Sequence, residues 1–381
     1  MIPFSFRTAA DIRFGRGIRV QAPEVLGRFG AQVALVRGRS VPWVDQLSRD
    51  LVANKAEVHE VFCTQEPSLP MVETALNTLR PLNVDAVVAV GGGAVIDLGK
   101  AIAALLPAQD RPIAYLEGVG GGQPLGAAPL PFVAIPTTSG TGAELTKNAV
   151  ILVPEAGRKV SLRDDRMLPD VAIIDPELTD NSPRAVTLSS GLDAITQVIE
   201  PYLCNKSNPM TDALCHDAIP KGLAAINHLA HGENEQARDA IAYTSMIGGM
   251  TLANAGLGAV HGLAGVMGGR LHAPHGLICG RLLGPVLQAN TAALEAEGMD
   301  TARFDQVAVW IADMLDLPIP TAFAQLPLLL DRWNVPRLTE WVPAGTDLEQ
   351  IANEAATSSS MRANPCELSR ETLVEIIKQA I

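Results

Sequence analysis

The stretch that most limits the possible folds is Val90–Lys100, VGGGAVIDLGK. The apolar run Val84–Val90 stops at three consecutive glycines, and an Ala-, Ile- and Leu-rich segment with helical spacing follows to about Leu106. This order predicts strand, tight turn and helix. Glycine admits positive φ and lets another group approach the backbone. The start of the helix presents unpaired N–H groups and the positive end of its dipole, a setting that suits a phosphate. Many α/β proteins make the same turn without a ligand, so the motif alone leaves both readings open.

The flanking sequence extends the pattern. Gln32–Arg37 and Val58–Phe62 read as strands, and Val41–Asn54 and Met71–Leu79 read as helices. Phe132–Ile135, Asn148–Leu152 and Val171–Asp175 are further strands. Strands alternating with helices imply a mostly parallel, Rossmann-like sheet covered by helices. Ligands of such sheets collect at the carboxyl ends of the strands. Gly91–Gly93 and the Thr137–Gly142 loop both lie at such ends. The hydroxyls of Thr137, Thr138, Ser139 and Thr141 either bond ligand oxygens or cap the turn. From Ser182–Pro183 onward the chain reads as helix after helix. An α/β domain over residues 1–182 and an all-helical domain over 183–381 are expected.

Charge and cysteine usage exclude other classes. A net charge of −12 with no basic run argues against a nucleic-acid partner. The five cysteines, at 63, 204, 215, 279 and 366, form no CxxC pair, so neither a disulfide framework nor a cysteine-based zinc site is expected. The N-terminal residues lack the pattern of a signal peptide, and no run of about 20 apolar residues exists, so a cytoplasmic protein without a membrane partner is expected.

In the second half, Asp193 and Gln197 are four apart and share one helix face, with Glu200 one further turn along. His261 and His275 flank an apolar, glycine-rich segment. Imidazole and carboxylate are good ligands for a divalent transition metal. A buried histidine is more often a hydrogen-bonded core residue, and that reading applies to His59, His216, His228 and His231. His272 reads equally as a pocket acid/base or as a loop residue.

The blocks VGGGxxIDxxKAIA, PTTSGTGAE, DPELT, GLDAxxxxIEPYL, GLGAVHGLAG…LHAPHG and ANPCELS occur in this order along the whole chain. Together they resemble the iron-containing (group III) alcohol dehydrogenase family, of the dehydroquinate synthase-like fold. The resemblance implies an N-terminal dinucleotide-binding domain, an all-helical metal and substrate domain, and a site in the cleft between them. It implies a nicotinamide cofactor across Gly91, Gly92, Gly93, Ala94 and Asp97, and across Thr137, Thr138, Thr141 and Thr146. Lys159 and Leu178 match positions that line the cofactor cleft. It also implies a divalent metal, iron or zinc, with ligands at Asp193, His261 and His275, and a homodimer.

Three positions depart from the family pattern. Gln197 stands where a ligand histidine belongs, and a neutral amide oxygen suits Mg, Ca or Mn better than iron or zinc. Gly265 stands where many members carry a histidine near the nicotinamide. Gly38, between Arg37 and Arg39, stands where NAD-preferring members carry an acid. A carboxylate there repels a ribose 2′-phosphate, whereas guanidiniums favour one, so NADP is expected slightly ahead of NAD unless both arginines face solvent.

The expected function is NAD(P)-dependent interconversion of a small alcohol with an aldehyde or ketone. Asp193, Gln197, His261 and His275 hold the metal in this reading, with His261 and His272 as catalytic candidates. The alternatives are a metal-independent reductase of an acidic carbonyl substrate, similar to maleylacetate reductase and using Arg270 and His272, or a silent nucleotide-binding protein.

Overall fold

A computed structural model describes residues 3–381. The chain divides into two compact units, one comprising residues 8–138 and 142–179 and the other residues 3–7, 139–141 and 180–381.

The first unit is built on a six-stranded sheet whose strand pairings are all parallel. Its strands are β1 (Asp11–Phe14), β2 (Gln32–Arg37), β3 (Glu57–Phe62), β4 (Ala86–Gly91), β5 (Phe132–Pro136) and, after a hairpin, β8 (Val171–Ile174). The spatial order is β1-β8-β5-β4-β2-β3. β4 and β5 are buried along their whole length, which is why they read as unbroken apolar runs. Edge strand β3 instead holds no buried residue. Helices α1 (Ala22–Gly27), α2 (Trp43–Ala53), α3 (Leu69–Leu79) and α4 (Gly93–Leu105) complete the unit. Two apolar clusters form its core, one holding α1 and α2 residues and the other α3 and α4 residues. Helix α4 lies flat on the sheet because Gly99 faces it. A Cβ there would sit 2.6 Å from Ala89 Cβ and 2.9 Å from the Phe132 ring.

Two features differ from expectation. Asn148–Leu152 is a strand, β6 (Asn148–Val153), but it stands outside the parallel sheet and forms an antiparallel hairpin with β7 (Arg158–Arg163). The turn residues Pro154–Gly157 are too few for the crossover that a parallel partner needs. β1 and β7 also escaped the pattern reading, because their arginines and aspartate break any apolar run.

The second unit is helical: α5 (Arg184–Leu203), α6 (Pro209–His231), α7 (Glu235–Asn254), α8 (Ala259–Leu271), α9 (His275–Ala296), α10 (Ala302–Leu315), α11 (Ala322–Arg332), α12 (Leu348–Ala356) and α13 (Arg370–Ala380). Helix α5 is its centre, buried from Gly191 to Leu203 and packed against α6, α7 and α9. Among the described residues no single helix is long and apolar enough to cross a membrane.

Candidate metal centre and nucleotide-binding turn

In the α/β unit, the direction in which successive strands are added reverses between β2 and β4, while all of them run parallel. β3 lies outward from β2, while β5 and β8 lie on the far side of β4. The carboxyl ends on either side of such a switch point are the usual ligand site. Here they carry Gly38 after β2 and Gly91–Gly93 after β4, with Arg37 paired in register to Val90. The threonine loop joins them, since Thr137 N–H donates to the Gly91 carbonyl. The Thr138 side chain lies 3.3 Å from where a Gly92 Cβ would be. Helix α4 begins with Gly92 as N-cap and no side-chain cap, so its first N–H groups are left for another acceptor.

Lys100 is the buried anchor of this region. Its ammonium donates to the Thr146 carbonyl at 2.7 Å, the Thr146 hydroxyl at 2.6 Å and the Asn148 carbonyl at 3.1 Å. All three donors are used, so the lysine of the IDxxK block clamps the start of β6 onto α4. Thr146, expected among the cofactor contacts, spends its hydroxyl on this clamp and on the Ala143 carbonyl. Asp97 accepts from Val150 N–H at 3.0 Å. Burial raises the Asp97 carboxyl to about 6 and the Glu144 carboxyl to about 7, and lowers the Lys100 ammonium to about 8.

The nucleotide-specificity positions are partly committed. Arg37 is buried and pairs with Asp45 at 2.6 Å and Glu60 at 3.2 Å. Only Arg39, stacked over the Phe62 ring, retains a guanidinium without a carboxylate partner among the ion pairs found. Lys159 pairs with Glu66 at 3.3 Å, and Leu178 packs on the apolar core.

In the helical unit, three helices bring together residues far apart in sequence. Asp193 comes from the middle of α5, His261 from the first turn of α8, and His275 from the first residue of α9. Cys279 joins them one turn further along α9. One ligand atom from each of the four lies within 4.8 Å of every other. Close packing of α9 on α5 makes this possible, because Gly276 faces Ser189. A Cβ at Gly276 would sit 1.9 Å from the Ser189 carbonyl oxygen, so any larger residue would push His275 away from Asp193.

Glu200 sets the orientation of His261. Its carboxylate accepts from Val260 N–H at 2.7 Å and lies 2.6 Å from His261 Nδ1. An ionised carboxylate only accepts, so Nδ1 carries the proton and Nε2 turns to the cluster. The same carboxylate sits at the positive end of α8, where a negative charge is favoured. Asn364, of the ANPCELS block, accepts from Ala259 N–H at 3.0 Å and is itself held by Asn290.

The cluster is charged and incompletely satisfied. Asp193 Oδ1 and His261 Nε2 are 3.4 Å apart, and both are buried atoms with no hydrogen-bond partner among the described residues. Burial alone would raise the Asp193 carboxyl, but His275 and His261 hold it below its ordinary range. Burial would lower both imidazoles, yet Cys279 and the nearby carboxylates outweigh it. They leave His261 well above its usual value and His275 at about 9. An arrangement of acid, two imidazoles and a thiol with unsatisfied buried atoms fits a divalent cation that displaces the extra imidazole protons on binding. Access is one-sided: the His275 side chain is 37% exposed, against 4% for Asp193.

One expectation requires correction. The cysteines do contribute to a metal-type cluster, through Cys279. The HxxxC spacing on a helix carries the signal, because residues four apart share a face; a search for CxxC pairs passes over it. Gln197 is buried on α5, but its amide nitrogen is spent on the Thr141 carbonyl. His272 lies outside the cluster. It is exposed and takes the left-handed conformation, φ 54°, that ends α8. Arg270 is bound by Glu354 and Gln350, which removes most of its charge from the acidic-substrate reading.

Two family models match the chain. One, described as iron-containing alcohol dehydrogenase, covers residues 9–176, and the other, the C-terminal domain of Fe-containing alcohol dehydrogenases, covers residues 187–381. Alcohol dehydrogenase 4 of Saccharomyces cerevisiae is 35% identical over 82% of this chain and 80% of that protein. The NAD-dependent methanol dehydrogenase of Bacillus methanolicus is 29% identical over 96% and 97%. Lactaldehyde reductase of Escherichia coli is 31% identical over 82% and 81%. Among solved structures, a 1,3-propanediol oxidoreductase superposes with a TM-score of 0.88 at 28% identity, covering all of both chains.

Proposed function

The chain belongs to the iron-containing alcohol dehydrogenase family, and from that premise we propose that it interconverts a small alcohol and an aldehyde or ketone by hydride transfer with a nicotinamide dinucleotide. In the oxidative direction the carbinol carbon gives a hydride to the nicotinamide and the hydroxyl gives up its proton; reduction reverses both.

The observation that carries this reading is the pair of orphaned buried atoms, Asp193 Oδ1 and His261 Nε2, converging with His275. Such atoms cost free energy unless a cation satisfies them. Asp193, His261 and His275 hold the metal in this reading. When bound, a divalent cation supplies Lewis acidity toward the substrate oxygen. The protein's own contribution is to hold the donors in place. Glu200 fixes the His261 tautomer, Gly276 lets α9 approach α5, and the half-exposed His275 edge gives substrate its approach. In the α/β unit the free N–H groups at the start of α4 receive the pyrophosphate. Adenine-ribose recognition falls beside Gly38. Because Arg37 is neutralised by Asp45 and Glu60, and those carboxylates oppose a 2′-phosphate, NAD is favoured over NADP.

The test is steady-state turnover of NADH and NADPH with a panel of small aldehydes and ketones, before and after exhaustive chelation. Aldehyde-dependent oxidation of NADH, lost on chelation and restored by one divalent metal, is expected. Full turnover after the metal has been shown to be removed would overturn the metal-assisted reading.

A further inference from the structure

We propose that Cys279, as its thiolate, is the fourth protein ligand of the cation held by Asp193, His261 and His275, making the centre a thiolate site suited to zinc. This rests on the metal reading above and goes further, by adding a sulfur to the donor set.

Distances support it. Four donors around a zinc-sized ion at bond lengths of about 2.0–2.3 Å stand about 3.3–3.8 Å apart. His261 Nε2 to Asp193 Oδ1 is 3.4 Å, Cys279 Sγ to His275 Nε2 is 3.6 Å, and His275 Nε2 to Asp193 Oδ1 is 3.8 Å. Cys279 is fully buried, so its sulfur is reached by the cluster rather than by solvent. The orphaned Asp193 Oδ1 and His261 Nε2 point to a ligand at the same place, independently of the cysteine.

The nitrogen end of the Gln197 amide is engaged elsewhere. Its amide nitrogen holds the Thr141 carbonyl, and Gly248 leaves room for that side chain, a Cβ there lying 3.4 Å from Gln197 Nε2. The residue at the expected ligand position is thus tied through its amide nitrogen to Thr141, and α9 adds a sulfur donor to the cluster. The consequence is a change of metal preference. A carboxylate, two imidazoles and an amide oxygen would suit harder ions, whereas a thiolate favours zinc over iron(II) and excludes Mg and Ca. On binding, the thiol proton passes to solvent and the sulfur lone pair forms the bond to the cation.

The experiment is replacement of the native metal by cobalt(II) in the full-length protein. Stoichiometry is measured by elemental analysis and the near-ultraviolet absorption is recorded. Wild type is expected to bind about one cobalt per chain and to show an intense sulfur-to-cobalt charge-transfer band. Cys279→Ser is expected to lose the band and to hold metal at least about 10-fold more weakly. Cys366→Ser, a control outside the cluster, is expected to keep the band. Stoichiometric cobalt in wild type without the band would overturn the assignment of Cys279 and leave the metal reading standing. No cobalt uptake by folded wild type would overturn both. Because the decisive spectrum is that of wild type, a Cys279→Ser variant that fails to fold does not block the test.

Discussion

Each unit of the molecule holds a buried polar cluster around one charged residue, Lys100 in one and Asp193 in the other, and the two are satisfied in opposite ways. Around Lys100 the three ammonium donors meet three oxygens. Around Asp193 two buried atoms, 3.4 Å apart, have no hydrogen-bond partner among the described residues. Lys100 is buried, whereas the Asp193 cluster is reached from one side past His275. A completed network acts as structure, since it stabilises one arrangement and presents nothing to a ligand. An incomplete one is expensive by itself and marks the place where a ligand supplies what the protein omits.

The comparison can be broken most forcefully at Lys100. Lys100→Met leaves three oxygens, two of them buried, without this donor and the carboxyls of Asp97 and Glu144 without their counter-charge. A loss of about 3–5 kcal/mol is expected, read as a lower urea midpoint of the α/β unit, with metal per folded chain unchanged. Wild-type stability in this variant would mean that the clamp is not structural.

Glu144 gives the next effect. Its carboxyl is about 7 in the folded chain against an ordinary 4.5. A group whose pKa rises on folding contributes its full stability below the unfolded value and loses it as pH climbs through the folded value. Wild-type stability should therefore decline between about pH 4.5 and pH 7. Glu144→Gln should flatten that decline, leaving the smaller slope from Asp97, and should gain of the order of 1–3 kcal/mol at pH 8. Denaturation midpoints across this range check the sign, and an unaltered slope in the variant would clear Glu144 of responsibility.

The smaller effect sharpens the other side. Glu200→Gln keeps the shape but weakens the hold on His261 Nδ1. Metal affinity should fall about 10–100-fold, which is about 1.4–2.7 kcal/mol, measured by competition with a chelator. An affinity equal to wild type would mean that packing alone orients the imidazole.

Within the α/β unit most of the architecture was legible. The apolar runs at β2, β4 and β5 and the glycine turn before α4 are local signals, expressed within a few residues. Asp193, His261 and His275 could be singled out only as residue types in familiar blocks. What the chain alone determined is therefore the strand-turn-helix alternation, the run of helices after it and the chemistry available at each position, because backbone sterics and hydrophobic periodicity act over short distances. Which of those residues meet was decided by tertiary packing. Gly276 against Ser189 brings α9 onto α5, Glu200 turns His261, and Gln197 bonds Thr141 while Cys279 faces the cluster. These contacts join segments up to 87 residues apart, from Ser189 to Gly276, and no periodicity within one segment can specify the closeness of two others.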